Sequence, residues 1–110
     1  MKLIEARQAA RKAVAAHETR PATAVIHDSE DARLIVFRLA AGQEVVPHTS
    51  TSTVVLTVLE GTGTLSGVDT ERVCSDGAIV AYAPGELHGM RATNGELLLL
   101  ATITPRPGSR

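Results

Sequence analysis

Two histidines in this chain sit where they could do chemistry. His48 lies in the stretch GQEVVPHTSTSTVVLTVLEG, residues 42–61, and His88 in GAIVAYAPGELHGMRA, residues 77–92. Both stretches mix strand-forming residues with Gly and Pro turn signals. A barrel that pairs them brings both imidazoles into one cavity. An imidazole can ligate a metal, move a proton near neutral pH, or orient a bound molecule by hydrogen bonding. Residues two apart on a strand share a face. An inward His48 therefore takes Glu44, Val46 and Ser50 with it, and an inward His88 takes Met90 and Ala92. The predicted cavity is two imidazoles and one hydroxyl among aliphatic walls, with Glu44 at one rim.

The elements that would position them are mostly strands. Residues 1–18 are alanine-rich, with Leu3, Ala6, Ala10 and Val14 near helical spacing. They predict a short helix or arm over residues 1–20, lying on the barrel or on a neighbouring subunit. An edge strand opening at KLIEA is the alternative. Arg20-Pro21 ends any helix, because the residue before proline is pushed out of the α region. Strand signals then recur at 22–27, 32–40, 43–50, 53–59, 64–66, 71–74, 78–83, 88–92 and 96–104. Pro47 marks a bend or an edge in the third of these. Nine short strands at close spacing predict an all-β barrel or sandwich over residues 21–104, with residues 105–110 as a loose tail. Residues 53–59 and 97–100 are apolar on both faces. One of those faces needs a cover beyond the barrel's own core, either the N-terminal arm or a second subunit. A homodimer is therefore expected.

Composition excludes several function classes. The chain has 110 residues, enough for one domain, with 44% hydrophobic and 21% charged residues. Its formal charge is −1, and it shows no basic cluster of the kind that neutralises phosphates, so no nucleic-acid partner is expected. Aromatic residues are limited to Phe37 and Tyr82, which leaves little to stack on bases or sugars. Cys74 is the single cysteine, which rules out an internal disulfide and a cysteine-built zinc site. Residues 1–20 carry charges throughout, and the longest apolar run, 97–101, is far too short to span a bilayer. No membrane association and a cytoplasmic location are the expectation.

The paired segments resemble the two motifs of the cupin superfamily, small jelly-roll barrels. The first motif runs Gly, five residues, His, one residue, His, three or four residues, Glu, six residues, Gly. Gly42, His48 and Gly61 match it, while Ser50 holds the second histidine position and Val54 the glutamate position. The second motif runs Gly, five residues, Pro, one residue, Gly, two residues, His, three residues, Asn. Gly77, Gly85 and His88 match it. Ala83 and Ala92 replace the proline and asparagine, with Pro84 and Asn94 close by. The resemblance covers roughly residues 22–104 and implies a cupin-like jelly-roll β-barrel carrying a short N-terminal helix or arm. It also implies a divalent transition metal, Fe, Zn, Ni or Mn, on residues at the motif positions. Of those four ligand positions only His48 and His88 keep a metal-binding side chain.

A catalytic zinc takes three protein ligands, and non-haem iron takes two histidines and a carboxylate. Glu44, the one motif carboxylate with inward parity, lies roughly 13 Å from His48 along an unbroken strand. It reaches the same ion only if the strand bulges at Pro47. His27 and Glu86 are the other candidates for a third ligand. The ligand-binding residues expected are His48, Ser50, Val54, Tyr82, His88 and Met90, with His48 and His88 as metal candidates and no catalytic residue assigned. The two histidines also fit the plainer role of cavity residues hydrogen-bonded to Ser50, Tyr82 or water. Cys74 reads as structural, and Ser50 lacks the partners of an activated nucleophile. The reading is a small cupin-like protein that binds a small organic ligand around His48 and His88. One alternative is a metal-dependent oxygenase or isomerase using both as ligands. The other is a metal-free, sugar epimerase-like acid/base enzyme with His48 as base.

Overall fold

The computed structural model describes residues 1–108. Residues 109 and 110, the end of the expected tail, lie outside the described residues. One helix, α1 (Ala6–Lys12), precedes nine strands: β1 (Ala22–Asp28), β2 (Arg33–Leu39), β3 (Glu44–His48), β4 (Thr53–Glu60), β5 (Gly63–Ser66), β6 (Glu71–Cys74), β7 (Ile79–Tyr82), β8 (His88–Ala92) and β9 (Leu97–Thr104). They form a five-stranded sheet, β1-β2-β9-β4-β7, and a four-stranded sheet, β3-β8-β5-β6. Every pairing is antiparallel. The two sheets face each other as an all-β jelly-roll barrel, as the strand pattern predicts.

The core lies between the sheets. From the larger sheet come Leu39, Val54, Leu56, Val58, Leu97, Leu99 and Ala101, and from the smaller one Leu65, Met90 and Ala92, all buried. The alternation in β2 places Val36 on the far side of the sheet from Ile35 and Phe37. There Val36 joins Leu98 and Ala10 of α1 in a second buried cluster. The apolar outer face of β9 thus gets the cover its sequence demands, and the N-terminal helix supplies it. Polar contacts hold the helix down. Arg7 Nε donates to the Leu59 carbonyl (3.0 Å), Arg11 pairs with Glu60, and the Arg38 guanidinium donates to the Ala13 carbonyl (2.7 Å). Seven residues would not hold a helix alone, so this docking is what makes α1 persist.

The described part of the tail is not loose. Ser52, almost fully buried, donates through Oγ to the Pro105 carbonyl (2.5 Å). The Arg106 amide donates to the Glu30 carbonyl (3.2 Å), and its guanidinium lies 3.6 Å from the Asp28 carboxylate. The hydrogen bond from Arg33, with the charges of Arg33 and Arg106, holds that carboxyl below its usual range despite some desolvation. Sequence patterning missed the strap because a side-chain bond across more than fifty positions leaves no local signature. Among the described residues no helix is long and apolar enough to cross a membrane.

One irregularity in the smaller sheet decides what faces the barrel. β3 pairs with β8 through Glu44↔Arg91, Val45↔Met90 and His48↔His88. Three steps on β3 match two on β8, so one extra residue is accommodated between Val45 and His48. Pro47 contributes no amide hydrogen to a ladder, and the bulge removes the need for one. The bulge packs over Gly89, where an added Cβ would lie 3.0 Å from Pro47 Cγ, 3.1 Å from Pro47 Cα and 2.9 Å from Ser66 Oγ. Gly89→Ala is expected to lower stability by about 1–3 kcal/mol in urea unfolding, the usual cost of forcing a methyl into filled space. Gly95→Ala, which meets nothing within 4 Å, is the matched control and should stay within about 0.5 kcal/mol.

Candidate functional site

The bulge corrects the strand parity expected from sequence. Unbroken alternation would put Glu44, Val46 and His48 on one face. With the extra residue, Val45 and His48 face the barrel together, beside Met90 and His88. Glu44 moves to the outside, opposite Arg91, and Val46 is exposed. Glu44 is therefore not at the cavity rim. It lines an outer groove of about 390 Å³ on the smaller sheet, where Arg91 also lies 3.8 Å from Glu71.

The inner cavity has a volume of about 430 Å³. His48, Ser50, Val54, His88 and Met90 all line it, so five of the six residues expected from sequence meet there. The four motif positions 48, 50, 54 and 88 share one cavity, although two of them carry Ser and Val. The walls are Ile35 and Phe37 of β2, Leu56 of β4, and Ala101 and Ile103 of β9. Thr49 and Thr51 add hydroxyl groups beside Ser50, and Pro107 of the strap contributes from the C-terminal end. The strand at 32–40 was legible in the sequence, but which of its two apolar faces turns inward was not. The threonines lie in a turn with no periodicity to read, and Pro107 is brought in by the strap. No carboxylate lines the cavity among the described residues.

The two rings are in contact, with centroids 4.3 Å apart and planes at 59°. His88 is buried, whereas His48 is exposed toward the mouth. Each ring is oriented by its own strand. His48 Nδ1 lies 3.0 Å from the Val46 carbonyl, and His88 Nδ1 lies 3.0 Å from the Glu86 carbonyl. A carbonyl oxygen only accepts, so both Nδ1 atoms carry protons. In the neutral rings both Nε2 atoms are then bare lone pairs. The same carbonyl-pinned tautomer is the one that metal-ligating histidines adopt.

The other sequence candidates serve the frame. Tyr82 packs against His88 with ring centroids 5.2 Å apart, but its hydroxyl donates across the barrel to the Ser66 carbonyl (2.9 Å). Burial, followed by the charges of Cys74 and Glu86, pushes that hydroxyl above its usual pKa. Tyr82 thus backs the site without lining the cavity. The Glu86 carboxylate accepts from the Ala83 amide (2.9 Å) and closes the turn before β8. Ser50 Oγ accepts from the Ser52 amide (3.1 Å), and the Ser50 carbonyl accepts from the Gly85 amide (2.7 Å). That last bond ties the turn of the second motif to the loop that follows His48. Cys74 is buried on β6, with its thiol 3.6 Å from the Arg72 carbonyl. Among the described residues no three of His, Cys, Asp and Glu cluster closely enough to hold a metal ion. The divalent metal that the motifs imply therefore finds two imidazoles and no carboxylate, a set that does not fit a three-ligand zinc or iron centre.

No family model matches the sequence, and no curated protein matches it significantly. Solved structures do. An RmlC-like cupin protein from Desulfovibrio desulfuricans is 29% identical, with 96% of this chain aligned to 97% of that one at a TM-score of 0.80. TT1209 from Thermus thermophilus is 23% identical, with 97% of this chain aligned to 100% of that one at a TM-score of 0.86. An uncharacterized conserved protein with a double-stranded β-helix domain from Klebsiella pneumoniae is 17% identical, with 100% of this chain aligned to 94% of that one at a TM-score of 0.84. Barrel topology, whole-length likeness to these structures and the motif glycines and histidines of residues 42–88 agree, and the chain belongs to the cupin superfamily.

Proposed function

We propose that the barrel binds a small organic molecule, whose polar group meets His48 and His88 while its apolar body lies against the aliphatic wall. The observation that carries this reading is the pair of carbonyl-pinned rings. It leaves the Nε2 atom of each ring as an acceptor, on two rings in contact at the edge of a wall built by Ile35, Phe37, Val54, Leu56, Ala101 and Ile103. A cavity of about 430 Å³ falls in the range of small-molecule sites, which are mostly apolar with a few placed polar groups. The hydroxyls of Thr49, Ser50 and Thr51 offer further hydrogen bonds.

The two enzyme readings have less behind them. A metal-dependent oxygenase or isomerase needs a third protein ligand, and the positions that would supply it are Ser50 and Val54. An epimerase-like mechanism with His48 as base needs an orienting carboxylate. The partner of its Nδ1 is a main-chain carbonyl instead.

The homodimer belongs to the same proposal. Helix α1 covers Val36 and Leu98, but Ile79 on edge strand β7, paired with Thr57 of β4, is 65% exposed. A second copy seated there would cover that part of the larger sheet.

The ligand is to be sought by thermal shift across small acids, alcohols, amines and sugars, with chelator present. A true ligand at about a hundredfold excess over its Kd should add about 2.7 kcal/mol of stability. His88→Ala and His48→Ala should each abolish that shift while retaining the fold, as judged by circular dichroism. A shift unchanged in both variants would overturn the assignment of the site. For the dimer, sedimentation equilibrium should give twice the chain mass, and Ile79→Lys should return it to the monomer. A monomeric parent protein would refute the dimer.

A further inference from the structure

The outer groove of the smaller sheet is polar where the barrel cavity is aliphatic. Leu65 belongs to the core, so its neighbours Thr64 and Ser66 on β5 face outward. Register sets Thr64 opposite Arg91 of β8, and Arg91 in turn opposite Glu44 of β3. Asp69, Thr70 and Glu71 close the groove from the turn after β5 and the start of β6. Thr64 lines the groove and is only 7% exposed, yet its hydroxyl bonds to no protein group among the described residues. A buried hydroxyl without a partner costs free energy, so this one favours an occupant that bonds to it. The carboxylates of Glu44 and Asp69 also pair with nothing among the described residues, and Glu71 meets Arg91 at 3.8 Å. We propose that the groove is a second binding site, separate from the cavity, and that it takes an elongated aliphatic diamine.

Charge and spacing select that class. Glu44, Asp69 and Glu71 against Arg91 leave the groove with an excess of negative charge that two ammonium groups would balance. β3 and β6 are the opposite edges of their sheet. Glu44 and Glu71 therefore start from strands roughly 14 Å apart, three inter-strand spacings. Among the described residues no three of His, Cys, Asp and Glu cluster closely enough to hold a metal ion, so a compact divalent cation does not meet these carboxylates together. An extended cation with a charge at each end does. One ammonium meets Glu44, and the other meets Asp69 and Glu71. Each ammonium offers three donors and no acceptor, which suits carboxylates and the hydroxyl oxygens of Thr64, Ser66 and Thr70. The methylene chain between them lies against Pro47, Val68 and Leu87, and covers a valine that is otherwise 64% exposed.

The test is isothermal titration of the full chain with 1,5-diaminopentane at low salt, beside 1,5-pentanediol, pentylamine and calcium. Amide shifts of the isotope-labelled protein are recorded in parallel. The expected result is one diamine per chain, pentylamine bound about fivefold more weakly, and no binding of the neutral diol or of calcium. Shifts should appear at Thr64 and Arg91 and not at Ala101 of the cavity wall. Glu44→Gln should weaken diamine binding about fivefold. Thr64→Val removes the hydroxyl while keeping a good strand former, and should weaken it by a similar factor, about fivefold. Glu5→Gln, an exposed carboxylate before α1, is the control and should change nothing. Failure to bind the diamine, diol or calcium bound as tightly, affinity undiminished in Glu44→Gln or Thr64→Val, an equal loss in Glu5→Gln, or shifts confined to the cavity would each overturn the proposal. His48→Ala should abolish binding of a cavity ligand and leave the diamine untouched, so the two sites can fail separately.

Discussion

The geometry of the site hangs on one extra residue in β3. Without the bulge between Val45 and His48, strand alternation would turn either Val45 or His48 out of the barrel, and the two imidazoles would not meet. The bulge is possible because Pro47 needs no ladder partner and because Gly89 beneath it has no side chain. Packing in the outer layer of the smaller sheet therefore sets the chemistry of the inner one. The same shift carries Glu44 to the outer surface, so that among the described residues no carboxylate lines the cavity.

An absence of anionic groups changes what two histidines can do. With a carboxylate beside them, they would form a familiar divalent-metal centre or an acid/base pair. With main-chain carbonyls on both Nδ1 atoms, the two rings are held at a tilt of 59° with only Nε2 left to meet a bound molecule. The proposed ligand would meet the rings through a donor group and lay its apolar body against the aliphatic wall. Tyr82 has its hydroxyl committed to the Ser66 carbonyl. The polar chemistry is thus concentrated on the Nε2 atoms and the nearby hydroxyls.

The outer layer shows how a short chain covers a sheet that is apolar on both sides. Helix α1 brings only Ala10 to full burial, yet it shields Val36 and Leu98 from water. Its arginines fasten it to carbonyls and to Glu60 rather than to further apolar contacts. The C-terminal strap works in a similar way at the other end of the sheet, through Ser52, Glu30 and Asp28.

Much of this was legible in the sequence. Alternation in 32–40 and 53–59 sorts the residues of β2 and β4 onto two opposite faces, because residues two apart share a side. Glycine, proline and asparagine punctuation separates nine strands, and the resemblance to the cupin motifs implied that positions 48, 50, 54 and 88 share one cavity. The parity of Glu44, the choice of the N-terminal arm as the cover over Leu98, the commitment of the Tyr82 hydroxyl and the anchoring of Pro105 were not legible. Each depends on a contact between positions far apart in the chain. Gly89 under Pro47, Ala10 over Leu98 and Ser52 against Pro105 are such contacts, and no local pattern encodes them. Residue types set what chemistry the barrel could hold. Only tertiary packing decided which of those groups face inward and which nitrogen of each histidine is left free.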